Sequence, residues 1–166
     1  MIEIRSIKIS DAEKFAALQK ELAKETKFMM REIEECTMNT ENAKQLIENV
    51  QKSNNFLFVA EVDNEIVGFA SASKGAYNRI KHCAYIVTGI RKAYQGKGIG
   101  NQFFKALDDW AKDEKLRRLE LTVMTHNLRA KSLYEKNGFV EEGIKKDAMC
   151  IDGEYINEYY MGKILK

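Results

Sequence analysis

Gln95-Gly96-Lys97-Gly98-Ile99-Gly100 is the stretch on which the fold of this chain turns. Before it runs an apolar segment, Ala84-Tyr85-Ile86-Val87-Thr88-Gly89-Ile90. After it Ile99, Phe103, Ala106, Leu107 and Trp110 recur at helical spacing. Three glycines in five residues suit neither element's interior, since each costs about 1 kcal/mol relative to Ala in a helix. At a strand-to-helix junction they have a use. They let the backbone turn sharply and leave N–H groups uncovered at a helix start, where those donors and the helix dipole attract phosphate. Lys97 and Arg91 add positive charge nearby. The junction therefore predicts a site for a phosphate-bearing cofactor. The plainer alternative is a tight turn whose glycines serve packing alone.

Outward from this turn the pattern is regular. Ile2, Ile4, Ile7 and Ile9 alternate imperfectly over residues 1–9 and predict a strand. Ser10-Asp11-Ala12-Glu13 matches a capping box with Ser10 as N-cap. The helix it opens carries Phe15, Leu18 and Leu22 on one face. A polar, Met-rich and acidic stretch over residues 26–39 interrupts the pattern. A second helix from about Thr40 shows Ala43, Leu46, Ile47 and Val50 at i, i+3, i+4 and i+7. Residues 56–62 and 65–73 are β-rich and flank Asp63-Asn64, a pair suited to a hairpin turn. Residues 81–90 form the third run of this meander. Beyond the glycine turn come a helix to about Asp113, a strand over residues 119–124, and a helix from Asn127 to about Lys136. Asn137-Gly138 ends that helix well. A last hairpin, residues 139–151 and 155–161, closes across Asp152-Gly153. The order β-α-α-β-β-β-α-β-α-β-β predicts an α/β fold: a mixed, mostly antiparallel sheet of about seven strands flanked by four helices. Ligands of such sheets sit at the C-terminal ends of strands, where the glycine turn lies.

With 166 residues the expectation is a single domain over 1–166. Apolar residues make up 45% and charged residues 31%, and the net charge of +2 is too balanced to require nucleic acid or an anionic membrane as partner. No apolar run approaches the roughly 18 residues of a membrane span, and the first residues alternate like a strand rather than a signal peptide. A cytoplasmic location is expected. Cys36, Cys83 and Cys150 read as reduced thiols, and with His82 and His126 they match no metal-site spacing, so no metal is expected.

The element order and two motifs resemble the GNAT superfamily of acetyl-CoA-dependent N-acetyltransferases. Residues 95–100 fit that family's Gln/Arg-x-x-Gly-x-Gly/Ala signature completely. Asn127-Leu128-Arg129-Ala130-Lys131-Ser132-Leu133-Tyr134-Glu135-Lys136-Asn137-Gly138-Phe139 is similar to its Asn…Ala…Leu-Tyr-Glu-Lys-x-Gly-Phe segment. The opening Ile4-Arg5 strand and Asp11-Ala12 helix start agree with it as well. One departure is visible: relatives often carry Val-x-Pro where this chain has Ile90-Arg91-Lys92, which alters a turn rather than the chemistry. The Asp152-Gly153-Glu154-Tyr155 hairpin and Tyr159-Tyr160-Met161 weakly resemble the ribosomal-protein and polyamine branches.

The resemblance implies that Gln95, Gly96, Lys97, Gly98, Ile99 and Gly100 hold the pyrophosphate of acetyl-CoA, the acetyl donor, with CoA as product. It implies that the end of the preceding strand, including Gly89 and Ile90, pairs with the pantetheine arm as though the arm were a strand. A bulge at that strand end is the family's device, with which Gly89 is compatible; Gly89 also has a purely steric explanation. Asn127 reads as a helix cap, and the resemblance adds a hydrogen bond to the cofactor arm. Tyr134 alone would read as a packing residue; the resemblance makes it the general acid that protonates the leaving sulfur. The implied activity is acetyl transfer to a primary amine of a small molecule or a protein N-terminus, by direct attack in a ternary complex.

The base is not singled out. Glu120, His82, Glu32, Glu34 and Glu35 are candidates, each of which also reads as an ordinary solvated residue. In the family, substrate choice comes from segments corresponding to residues 27–39 and 147–155. A dinucleotide site of the Rossmann kind fails on glycine spacing, and a P-loop fails because Gly98, not Ser or Thr, follows Gly96-Lys97. The remaining rival is a non-catalytic module of the same fold that binds CoA or a metabolite. The sheet edge near the C-terminus is compatible with a homodimer, which no sequence feature establishes.

Overall fold

A computed structural model describes residues 1–166. Its strands are β1 (Ile2–Ser6), β2 (Phe56–Val62), β3 (Glu65–Lys74), β4 (Cys83–Ile90), β5 (Arg118–Met124), β6 (Val140–Ile151) and β7 (Glu154–Ile164). Its helices are α1 (Ala12–Glu25), α2 (Thr40–Ser53), α3 (Ile99–Asp113) and α4 (Leu128–Lys136). The strands hydrogen-bond in the order β1-β2-β3-β4-β5-β7-β6. Pairing is antiparallel at β1–β2, β2–β3, β5–β7 and β6–β7 and parallel at β4–β5. The mixed, mostly antiparallel seven-stranded sheet and four helices are those read from the sequence.

The chain forms two compact units, and β3, β4 and α3 each contribute to both. The first comprises Met1–Ala72 and Val87–Leu107. Its core is the α1 stripe Phe15, Leu18 and Leu22 with Ala43 and Ile47 of α2, together with Val59 of β2 and Phe69 of β3. Phe15 meets Phe69 edge-on, with ring centroids 5.7 Å apart. Burying each large side chain in such a cluster stabilises the fold by roughly 1.5–3 kcal/mol. The β2–β3 hairpin turns on Asp63 and Asn64, at φ 49° and 66°. Both central residues are left-handed, as a two-residue turn matched to strand twist requires, and Asx residues tolerate that conformation.

The start of α1 differs from the capping box expected at Ser10. A short 3-10 turn, Ile9–Asp11, precedes the helix. The Asp11 carboxylate accepts the Lys8 N–H at 2.8 Å and two guanidinium hydrogen bonds from Arg5 at 2.7 and 2.8 Å. Arg5 also donates to Glu61. Asp11 is the chain's buried charged residue, 5% exposed. The Arg5 hydrogen bonds hold its carboxyl below the ordinary 3.8, against the opposing effect of burial. A carboxylate outcompetes a serine hydroxyl here because a cation from β1 lies within reach of it.

The second unit comprises Ser73–Ile86 and Asp108–Lys166. β4 begins at Cys83, two residues later than expected, because Cys83 N bonds Ile80 O in the preceding turn. The β6–β7 hairpin turns on Asp152 and Gly153, at φ 51° and 81°. Residues 147–155, which hold the end of β6 and its turn into β7 as expected, carry one irregularity: Asp147 is left-handed beside a register shift between Lys145 and Met149. α3 ends in a Schellman arrangement, with Leu116 N bonding Ala111 O and Lys115 N bonding Lys112 O. That motif places Lys115 at φ 55°, a position usually given to glycine.

Candidate active site

The glycine turn joins β4 to α3 within the first unit. A 3-10 turn, Lys92–Tyr94, leaves the strand, and Gly96 and Gly98 follow at φ 75° and 82°. A Cβ at either glycine would meet nothing within 4 Å. These glycines are therefore needed for backbone conformation and close approach, not for packing inside the chain. Gly98 O accepts the Gln102 N–H at 3.2 Å, the first bond of α3. A helix leaves the N–H groups of its first turn without intrahelical partners. The open, side-chain-free bend fits a diphosphate, because oxygen atoms can approach the main chain there.

The side chains of the turn divide their work in a way the sequence did not show. Gln95 donates its amide Nε2 to Ile90 O at 3.1 Å and so braces the turn internally. Arg91, expected to add positive charge, donates to Glu25 at 3.0 and 3.1 Å and lies 3.5 Å from Glu21. Its charge is answered by carboxylates of α1. Lys97 is exposed, with Nζ 5.1 Å from the centre of the Tyr94 ring.

Gly89 has a steric role. A Cβ there would stand 2.8 Å from Leu22 Cδ1 and 2.9 Å from Phe69 Cε1. The strand end can approach α1 and β3 only without a side chain. The β4–β5 ladder is three residue pairs long and stops at Tyr85–Glu120. β4 itself continues five residues to Ile90.

Asn127 and Tyr134 lie at the two ends of α4, in the second unit. Asn127 caps the helix, its Oδ1 accepting the Ala130 N–H at 3.3 Å. The cap uses the oxygen alone; no hydrogen bond of the chain engages Nδ2. Tyr134 is buried, 8% exposed. Its position follows from how α4 ends. Phe139 N bonds Tyr134 O at 3.0 Å and Gly138 N bonds Glu135 O at 3.1 Å, the two bonds of a Schellman motif. Gly138 takes the left-handed position at φ 90°. The Phe139 ring packs on Tyr134 with centroids 6.2 Å apart. The string from Tyr134 to Phe139 is thus one stop signal, and the tyrosine ring is fixed by it.

The candidate bases separate. Glu120 accepts Arg118 Nε at 2.7 Å, and Arg118 also binds Glu142. His82 lies exposed before β4, and its carbonyl accepts the Arg117 and Arg118 N–H groups. Glu35 closes its own 3-10 turn by accepting the Glu32 N–H at 2.9 Å. In the segment 27–39, Phe28 and Met30 are exposed, while Met29 packs on the core. Burial raises the Cys83 thiol above its ordinary value. No group of three or more His, Cys, Asp or Glu side chains is placed to hold a metal ion. No helix is long and apolar enough to cross a membrane.

Glu25 was missed in the sequence. It carried no local signal, because its partner Arg91 lies 66 positions away.

A family model described as the acetyltransferase (GNAT) family matches residues 21–139. The L-amino acid N-acetyltransferase AaaT of Escherichia coli is 28% identical over 110 residues, 64% of this chain. The [ribosomal protein uS5]-alanine N-acetyltransferase of the same species is 31% identical over 100 residues, 56% of this chain. The chain spans less than two thirds of these curated relatives, 66% of the first and 48% of the second. The crystal structure of an acetyltransferase of the GNAT family from Streptococcus pneumoniae superimposes with a TM-score of 0.95 at 27% identity, covering 100% of both chains.

Proposed function

Since this chain belongs to the acetyltransferase (GNAT) family, we propose that it transfers an acetyl group from acetyl-CoA to a primary amine of a small molecule or a protein N-terminus. The observation that carries this is the bend at Gly96 and Gly98, left-handed and open, at the start of α3. Gln95 to Gly100 hold the diphosphate through main-chain donors, with Lys97 adding charge. The stretch of β4 beyond its three-pair ladder, through Gly89 to Ile90, pairs with the amides of the pantetheine arm. Asn127 caps α4 with its oxygen and offers Nδ2 to the same arm.

When bound, acetyl-CoA supplies a thioester whose carbonyl carbon bonds to the amine nitrogen as its carbon–sulfur bond breaks. Tyr134 gives its phenolic proton to the departing sulfur, and the proton that the nitrogen sheds as the amide forms is taken up by solvent, from which the Tyr134 phenolate is reprotonated. The amine arrives neutral and attacks directly, so both substrates are bound together. The acceptor belongs with the amines that the relatives' names span, an L-amino acid or an alanine of a ribosomal protein.

Two measurements test this. Calorimetry with CoA must show saturable one-to-one binding. Mixing with acetyl-CoA and a panel of amino acids, polyamines and N-terminal peptides must then release thiol with at least one amine. Saturable binding without thiol release from any amine would favour the non-catalytic module. No binding at millimolar CoA would overturn the proposal.

A further inference from the structure

We infer that Glu25, at the last position of α1, is the positioning residue that sets the glycine turn for CoA; the inference rests on the function proposed above. Its carboxylate makes three hydrogen bonds to the start of the turn. Oε1 accepts from Arg91 Nε at 3.1 Å and from the terminal nitrogen Nη2 at 3.0 Å, and Oε2 accepts the Lys92 backbone N–H at 2.8 Å. Lys92 opens the 3-10 turn that leads into Gln95 and Gly96. The N–H at the first position of such a turn has no partner within it. Glu25 supplies that partner and fixes where the strand leaves the sheet. Arg91 keeps the carboxylate aimed, and Arg91 N is itself tied to Val67 O at 2.9 Å. The brace continues inward through Gln95 Nε2 on Ile90 O. Glu21 lies near Arg91 at 3.5 Å and makes no bond to Lys92, so it lacks the positioning contact.

The geometry supplies its own rescue. Proline has no N–H to satisfy and favours the first position of a helical turn, where its ring fixes φ. It also asks the preceding residue for extended backbone, and Arg91 stands at φ −55° and ψ 140°. Lys92→Pro would thus hold the turn by its ring and make the Glu25 bond unnecessary.

The test compares CoA binding by calorimetry in the wild type, Glu21→Ala, Glu25→Ala, Glu25→Gln and the double variant Glu25→Ala/Lys92→Pro. Amide exchange at Lys92 and KM for acetyl-CoA are read alongside. Glu25→Ala is expected to weaken CoA about tenfold, the scale of one charge-assisted hydrogen bond lost from the positioning of the turn. KM for acetyl-CoA should rise while kcat moves little, and Lys92 exchange should accelerate. Glu25→Gln keeps a neutral acceptor and should fall between. Glu21→Ala should stay within about twofold of wild type, and the double variant should recover most of the affinity. CoA binding in Glu25→Ala equal to wild type would overturn the assignment, as would a loss that Lys92→Pro does not repair. Should Glu25→Ala fail to fold, Glu25→Gln with unchanged affinity and Lys92 exchange would overturn it too. Failure of the wild type itself to bind CoA would instead remove the functional proposal beneath it.

Discussion

At the scale of single residues the two ends of α4 offer the sharpest tests. Tyr134→Phe removes one hydroxyl and leaves the ring that packs on Phe139. If the phenol donates the proton, kcat falls about 100-fold or more while the Kd for CoA is unchanged. Single-turnover kinetics that match wild type would take Tyr134 out of the chemistry. The proposed function gives Asn127 two jobs on two atoms, and Asn127→Ser separates them. Serine keeps a capping oxygen, so thermal stability should stay within about 0.5 kcal/mol. It lacks the amide nitrogen, so CoA affinity should drop several-fold. Equal loss of stability and of affinity would mean that the cap is the only role. Both residues were legible in the sequence, because a cap and a stop signal are local and written in adjacent letters. Glu25 and the Arg5–Asp11–Glu61 network were not. Their partners lie on other elements, and an acidic residue at a helix end looks the same in sequence whether or not an arginine faces it.

Among the elements, boundaries and type came through where periodicity and turn chemistry agree. Asp63-Asn64 and Asp152-Gly153 both take the left-handed turns that their composition predicts. The register shift between Lys145 and Met149 inside the last hairpin did not come through, because an irregular pairing has no signature in the alternation of a single strand. The C-terminus of α3 carries a mismatch that can be relieved. Lys115 sits exposed in the left-handed position of the Schellman motif, where its Cβ is strained. Lys115→Gly should raise stability by about 0.5–1 kcal/mol, balanced against greater freedom in the unfolded chain. Differential scanning calorimetry should show a Tm shift of roughly 1–4 °C upward. A lower Tm would mean that the lysine makes an interaction worth more than its strain.

For the molecule as a whole, acid is the informative perturbation. Asp11 has a folded-state pKa below its ordinary 3.8, caused first by the Arg5 hydrogen bonds. Below 3.8 the unfolded chain therefore binds the proton more readily than the folded one. The stabilisation from Asp11 is present above that pH and drains away as pH falls through the folded value. Asp11→Asn should cost about 1–3 kcal/mol at pH 7, and the gap to wild type should narrow below about pH 4. Urea titrations at pH 7, 5 and 3 measure it; a gap that stays constant over that range would show that the carboxylate's charge is not what matters. The abbreviated β4–β5 ladder has a different bearing on the chain. A main-chain edge recognises its guest through amide and carbonyl alone, blind to the letters that carry them. Substitution along the end of β4 should therefore leave the grip on the donor largely intact, with Gly89 the exception that tolerates no replacement. Under the proposed pairing, such a chain alters its preference for acceptors while its hold on coenzyme A stays the same.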